Sequence, residues 1–121
     1  MCVAGARWVQ KELLERHPSA ALKVYSVWFN MVGGDERSRW QRDLLTDSRV
    51  THFWDEKKVI GRWYAKHLAY KGSGGVLWDA WALYGPEARW DQGPSHRVSW
   101  GRTIVGTREK LRSAFEDVRA K

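Results

Sequence analysis

The sequence contains few cysteines and prolines, the residues that restrict a chain through disulfides and fixed backbone angles. Its 121 residues include one cysteine, Cys2, and three prolines. A single cysteine cannot form a disulfide within the chain, which excludes a small disulfide-stapled fold. No apolar run approaches the roughly 20 residues that cross a bilayer, and no basic start precedes an apolar segment. We therefore expect a cytoplasmic protein with no membrane partner.

Acidic residues are also scarce, with 14 Asp and Glu against 21 Lys and Arg, which gives a net charge of +7. A positive field of this size attracts anions and nucleic acid, but many basic folded domains bind neither. Nine tryptophans are present. Half-buried indoles around a core are the first interpretation, and an aromatic surface that stacks bases or a ligand is the alternative. Four tryptophans directly follow an arginine: Trp8, Trp40, Trp63 and Trp90.

The length and a hydrophobic content of 43% predict one domain, residues 1–121, with a single modest core. An apolar face at helical spacing predicts a first helix over residues 2–16, which Pro18 ends. Gly5 would let its first turn lie close to another backbone. A run of β-branched and aromatic residues predicts a strand at 22–29, of the kind that is covered on both faces.

The remaining pattern predicts three helices and two or three strands. Asp35 and Asp55 are each placed to cap a helix. The second of these helices has an apolar face of Val59, Ile60, Trp63, Tyr64 and Leu68. Residues 50–54 fit a short strand or an extended link, and strands are predicted at 76–84 and 98–104. The last helix begins at Gly106-Thr107 and buries Leu111, Ala114, Phe115 and Val118.

This order of elements, with a cysteine in the first turn of the first helix, resembles the thioredoxin-like family. The sequence is also similar to a bacterial thioredoxin-like group whose helix opens on Cys-x-x-Cys and continues as Gly-Ala-Arg-x-Val-Gln. The matching residues here are Cys2, Gly5-Ala6-Arg7, Val9-Gln10, Val27-Trp28 and Trp54-Asp55. The resemblance implies an α/β fold with a mixed sheet flanked by helices, related to thiol–disulfide oxidoreductases.

Two features depart from the family. Its members have a central strand before the cysteine helix, for which this chain has no room, so we expect the fold to lack that first strand. Met1 would then be an internal methionine, with a second cysteine two residues before it. A missing central strand leaves an open sheet edge, which invites a partner strand or a second copy of the chain. The family's proline before the third strand is also absent near Gly74-Gly75-Val76.

Cys2 is the first candidate catalytic residue. Unpaired N–H groups and the helix dipole at a helix N-terminus favour a thiolate, which could form a mixed disulfide with a protein thiol partner. One cysteine cannot cycle between dithiol and disulfide within one chain. The alternative is that Cys2 is a remnant at a frayed end without a redox role.

Asp79 is the second candidate, because it is the only charge in residues 76–84. A buried carboxylate beneath a redox cysteine can accept a proton. The alternative is an ion pair with one of the many arginines. The four histidines show no ligand spacing, so a metal site of Cys2, His52 and His67 is not favoured, and we expect no metal and no cofactor. The second hypothesis for the function is a binding module that holds a protein or, less favoured, nucleic acid through a basic Trp/Arg-rich surface.

Overall fold

The structure is a computed structural model that describes residues 2–29, 44–89, 91 and 93–120. It confirms a mixed α/β protein. The chain divides into two compact units. We call residues 6–78 the parallel unit and residues 1–5 with 79–121 the antiparallel unit, after the strand pairing in each. The helix predicted after Asp35 and the positions of Trp40 and Trp90 lie outside the described residues.

The first helix begins at the cysteine, as predicted. Helix α1, Cys2–Trp8, starts in the antiparallel unit and continues into the parallel unit as a π-helical segment, Val9–Leu14. The wider winding is seen in the bond from the Glu15 N–H to the Gln10 carbonyl, 2.9 Å long. The helix ends before residue 16 because a guanidinium takes the carbonyl of Leu14, as described below.

The parallel unit is built on two strands with the same direction. Strands β1, Val24–Trp28, and β2, Val50–Trp54, pair in parallel with Val24 opposite Val50. One face of this sheet packs on the π-helical segment through Leu14, which is fully buried. Residues 50–54 are therefore a strand and not a link. The other members of this core are Ala6, Val9, Leu22, Val24, Trp28, Leu44, Leu45 and Val50.

Helix α2, Val59–His67, follows β2. Asp55 caps it as predicted, because its carboxylate accepts the N–H groups of Val59 at 2.9 Å and Ile60 at 2.7 Å. The predicted apolar face is only partly correct. The buried positions are Gly61 and Ala65, whereas Val59 is 62% exposed. Small residues are buried here because the neighbouring chain lies too close to the helix for larger ones.

That close approach also shortens the next predicted strand. A Cβ on Gly61 would lie 2.8 Å from Cγ1 of Val76, and the Leu77 N–H donates to the Gly61 carbonyl at 2.9 Å. Residues 76–78 thus hydrogen-bond to α2 instead of a neighbouring strand. Strand β3 begins only at Ala80 and runs Ala80–Tyr84.

The antiparallel unit is a hairpin packed on a helix. Strand β3 pairs antiparallel with β4, Arg97–Arg102, and helix α3, Arg108–Arg119, follows. Leu111, Ala114 and Phe115 are buried along α3, as predicted. The Trp81 indole N–H donates to the Thr107 hydroxyl at 2.8 Å, which joins β3 to the start of the helix. In the described residues the strands form two separate two-stranded sheets.

Candidate functional site

Asp79 lies at the point where the chain enters β3. It is the buried charged residue of the described core, with 7% of its surface exposed. The sequence pattern predicts a strand over residues 76–84, and that prediction is wrong at Asp79, because β3 begins at Ala80. The Asp79 φ of +50° is left-handed, a conformation that Asp tolerates better than most residues and that a β-strand cannot contain. The turn at Asp79 therefore aims the carboxylate at the chain that follows β4.

One hydrogen-bond donor to that carboxylate is a backbone group. The Ile104 N–H donates to Oδ1 of Asp79 at 3.3 Å. A buried carboxylate costs free energy unless it accepts hydrogen bonds, and this contact offsets part of the cost. Ile104 is 25 residues further along the chain, so the contact fixes the segment between β4 and α3 against the entrance to β3.

Ile104 also contacts the first turn of α1. A Cβ placed on Gly5 would lie 2.8 Å from Cβ of Ile104, 3.0 Å from its Cδ1 and 3.1 Å from its Cγ2. A Cβ does not fit at that distance without a shift of Ile104. The close approach expected from the sequence was to another backbone, whereas the neighbour here is a side chain. Cys2 precedes Gly5 by one helical turn and is the first residue of α1. Ile104 thus meets Gly5 through its side chain and Asp79 through its N–H, while Cys2 lies three residues before Gly5 on the same helix. We call Gly5, Asp79 and Ile104 the Ile104 cluster.

Arg49 is a densely bonded polar group that the sequence pattern did not indicate. Its Nε and Nη2 donate to the two carboxylate oxygens of Asp47 at 2.9 and 2.8 Å. Its other N–H groups donate to the carbonyls of Leu14, His17 and Ala20 at 2.8 to 3.0 Å. A guanidinium has five N–H donors, and all five are used.

We call Arg49, Asp47 and the carbonyls of Leu14, His17 and Ala20 the Arg49 cluster. Its hydrogen bonds shift the pKa values of both charged members. The hydrogen bonds from Arg49, first through its side chain and then through its backbone N–H, lower the pKa of Asp47 from its ordinary value of 3.8 to about 2. The same pair raises the pKa of Arg49. With no donor left for a ligand, the cluster's role is to hold the end of the π-helical segment at the start of β2.

Helix α2 carries an exposed basic face. Arg62, Lys66 and His67 are exposed along it. The Trp63 ring stacks on His67, with centroids 4.2 Å apart and planes 15° apart, and meets Tyr64 edge-on. His67 is therefore a surface residue.

His52, the other histidine weighed as a metal ligand, bonds within the parallel unit. Nε2 of His52 lies 2.9 Å from the Leu45 carbonyl, a contact within the parallel unit. Over the ranges that the structure describes, no cluster of three His, Cys, Asp or Glu is placed to hold a metal ion. In those ranges, too, no helix has the length and apolarity to cross a membrane.

No protein family, curated protein or solved structure matches the chain.

Proposed function

We propose that this chain is a thioredoxin-like α/β domain that exchanges disulfides through Cys2, with Asp79 as proton acceptor. The observation that carries the proposal is the Ile104 cluster. Ile104 contacts the first turn of the cysteine helix with its side chain and the Asp79 carboxylate with its N–H. The parallel β1–β2 pair and the antiparallel β3–β4 pair are the two kinds of pairing that a thioredoxin-like sheet combines.

The proposed step needs one sulfur from this chain and a disulfide from a protein partner. The Cys2 thiol gives its proton to Asp79, and the thiolate attacks one sulfur of the partner disulfide. The Cys2–S bond to that sulfur forms as the partner's S–S bond breaks. The released partner thiolate takes up the proton, so no outside oxidant is required. A second thiol, from the partner or from glutathione, then releases Cys2.

The test is the rate of Cys2 alkylation as a function of pH in the full chain. The proposal predicts that Cys2 reacts as thiolate at a lower pH than a cysteine in an unfolded control peptide. Asp79→Asn should shift that profile, because the amide removes both the proton acceptor and the negative charge that opposes a thiolate. Asp117→Asn is the matched control, since it makes the same change at an exposed position of the same unit. Identical profiles for the native chain, both variants and the peptide would refute the redox proposal.

A second candidate, nucleic-acid binding, is favoured by the exposed face of α2. Arg62 and Lys66 are one turn apart, and the Trp63–His67 stack lies on the same helix. Phosphates pair with such cations, while bases stack on aromatic rings. Titration of labelled single-stranded DNA at low and moderate salt tests it, because counterion release makes true phosphate binding strongly salt-dependent.

The informative variant for this second candidate is Arg62→Glu with Lys66→Glu. It should abolish binding, whereas Arg112→Glu with Arg119→Glu makes the same charge change on α3 and should cost only the general electrostatic part. Equal losses in both double variants would assign the binding to net charge and remove α2 as a specific surface.

A further inference from the structure

One edge of strand β1 carries backbone groups without a partner among the described residues. The Val24 N–H donates to the Arg49 carbonyl, and the Trp28 carbonyl accepts from Asp55. In a parallel ladder this places the N–H and C=O groups of alternate residues, Val24, Ser26 and Trp28, towards β2. The groups of Tyr25 and Val27 therefore point away from β2, and no described residue bonds to them.

The side chains of the same sheet leave an apolar face exposed. Tyr25 is 63% exposed and Phe53 is 45% exposed, with ring centroids 6.2 Å apart across the two strands. Parallel strands are normally covered on both faces, whereas here the described core covers only the face of Val24 and Trp28. Strand β1 has no proline, no charge and no bulge, the usual devices that protect an edge.

We propose that a second copy of this chain covers this edge, with the two β1 strands antiparallel about a two-fold axis at Ser26. In that register Tyr25 of each copy lies opposite Val27 of the other. Because both residues direct their backbone groups to the open edge, each such pair exchanges two hydrogen bonds, as hydrogen-bonded antiparallel pairs do. The four free groups of each strand are then all used.

The side chains of β1 fit the same register. The Tyr25–Val27 contacts are aromatic–β-branched pairs, among the favourable cross-strand combinations, and occur twice on the exposed face. Val24 lies opposite Trp28 on the other face, and Ser26 faces Ser26. No like charges meet, since residues 24–28 carry none. This self-complementarity favours a second copy over an unrelated strand or a polyanion, because a two-fold interface uses one patch twice.

The first experiment measures the mass of the nuclease-treated full chain by sedimentation over two orders of magnitude in concentration. The proposal expects a reversible monomer–dimer equilibrium. Added salt should strengthen it, because each copy carries a net charge of +7 and the two repel each other. A nucleic-acid bridge would show the opposite salt dependence.

Hydrogen exchange of the native chain locates the interface without any variant. The Tyr25 and Val27 amides should exchange more slowly as the dimer fraction rises. The Ser26 amide, which points to β2, should follow the stability of the fold only and serves as the internal control.

Paired substitutions then test the edge. Tyr25→Lys with Val27→Lys sets cations opposite each other and should weaken the dimer by about tenfold or more. Thr51→Lys with Phe53→Lys is the matched control, because these residues are the register partners of Tyr25 and Val27 on strand β2, away from the proposed β1–β1 contact. Circular dichroism checks that each variant folds.

Four results would overturn the proposal. They are a monomer at every concentration, a dimer lost on nuclease treatment, Tyr25 and Val27 amides equally protected in monomer and dimer, and equal weakening by both double variants. The third result would assign the edge to another strand of the same chain.

Discussion

The two units differ in the contacts that hold a two-stranded sheet against a helical segment. Each contains a two-stranded sheet that packs on a helical segment. In the antiparallel unit the strands are adjacent in sequence. They are held on α3 by the apolar contacts of Leu111 and Phe115, by the Trp81–Thr107 hydrogen bond and by the bond from Lys110 to the Trp100 carbonyl. In the parallel unit the strands are separated by a crossover, and the sheet is held by Leu14 and by the five bonds of Arg49.

The difference follows from chain connectivity. The β3–β4 ladder closes a connection of residues 85–96, whereas the β1–β2 ladder closes the longer connection of residues 29–49 at a greater entropic cost. The parallel unit therefore depends more on contacts between distant residues. We expect its strands to respond most to the loss of one such contact.

The largest expected effect is that of Leu14→Ala. Leu14 is fully buried, so its removal should lower the free energy of unfolding by about 2 to 5 kcal/mol, measured by denaturant titration. Hydrogen exchange should show β1 and β2 opening more than β3 and β4. Phe115→Ala is the reciprocal control in the antiparallel unit. If both variants loosen all four strands equally, the units unfold as one and the comparison fails.

Arg49→Ala should have the next largest effect, about 2 kcal/mol, because it leaves three carbonyls and a carboxylate without their donor. Arg112→Ala removes an exposed ion pair to Glu109 on α3 and should cost less than about 0.5 kcal/mol. Thermal unfolding of both variants is the measurement. Similar melting temperatures would mean that the Arg49 bonds add no net stability.

Gly5→Ala tests the Ile104 cluster. Alanine is the better helix former by about 1 kcal/mol, but its Cβ would overlap Ile104, at a cost of about 1 to 3 kcal/mol. We expect a net loss of about 1 kcal/mol by denaturant titration. Adding Ile104→Ala to the variant should recover part of it, since the Cδ1 and Cγ2 contacts disappear. A stabilised Gly5→Ala single variant would contradict the close packing.

The smallest expected effect is a pH dependence at Asp47. Its pKa of about 2 in the folded chain is below the ordinary 3.8, so the folded state binds fewer protons in this range. The stability that its carboxylate contributes is complete above about pH 4 and is lost as the pH falls towards 2. Asp47→Asn should therefore reduce the fall in melting temperature between about pH 4 and pH 2. Asp91→Asn, at an exposed site, should leave that fall unchanged.

Local pattern was sufficient to predict most elements of the fold. The apolar spacing around Leu111 and Phe115 predicted α3, and the β-branched run predicted β1. Asp55 was identified as a cap because capping depends on residues a few positions away. Asp79 was identified as a lone charge among apolar residues, and its burial confirms the reason for choosing it.

The errors arose where a distant contact decided the structure. Residues 76–78 read as strand by composition, but the Leu77 N–H bonds to Gly61 on α2. The role of Arg49 could not be predicted from the sequence, because three of its partners are backbone carbonyls that any sequence supplies. The only local hint was the Asp47-Ser48-Arg49 spacing, in which an acid and an arginine flank one turn residue.

The acceptors of Arg49 also set how freely this region can change. Carbonyl oxygens exist at positions 14, 17 and 20 whatever side chains stand there, so His17 and Ala20 are open to substitution while the contact persists. Position 49 does not tolerate substitution in the same way. The Arg49 guanidinium bonds four residues at once, and the single ammonium group of a lysine cannot reach all of them. Saturation mutagenesis across residues 14–20 and 49 should thus find many tolerated substitutions at positions 17 and 20 and few at position 49.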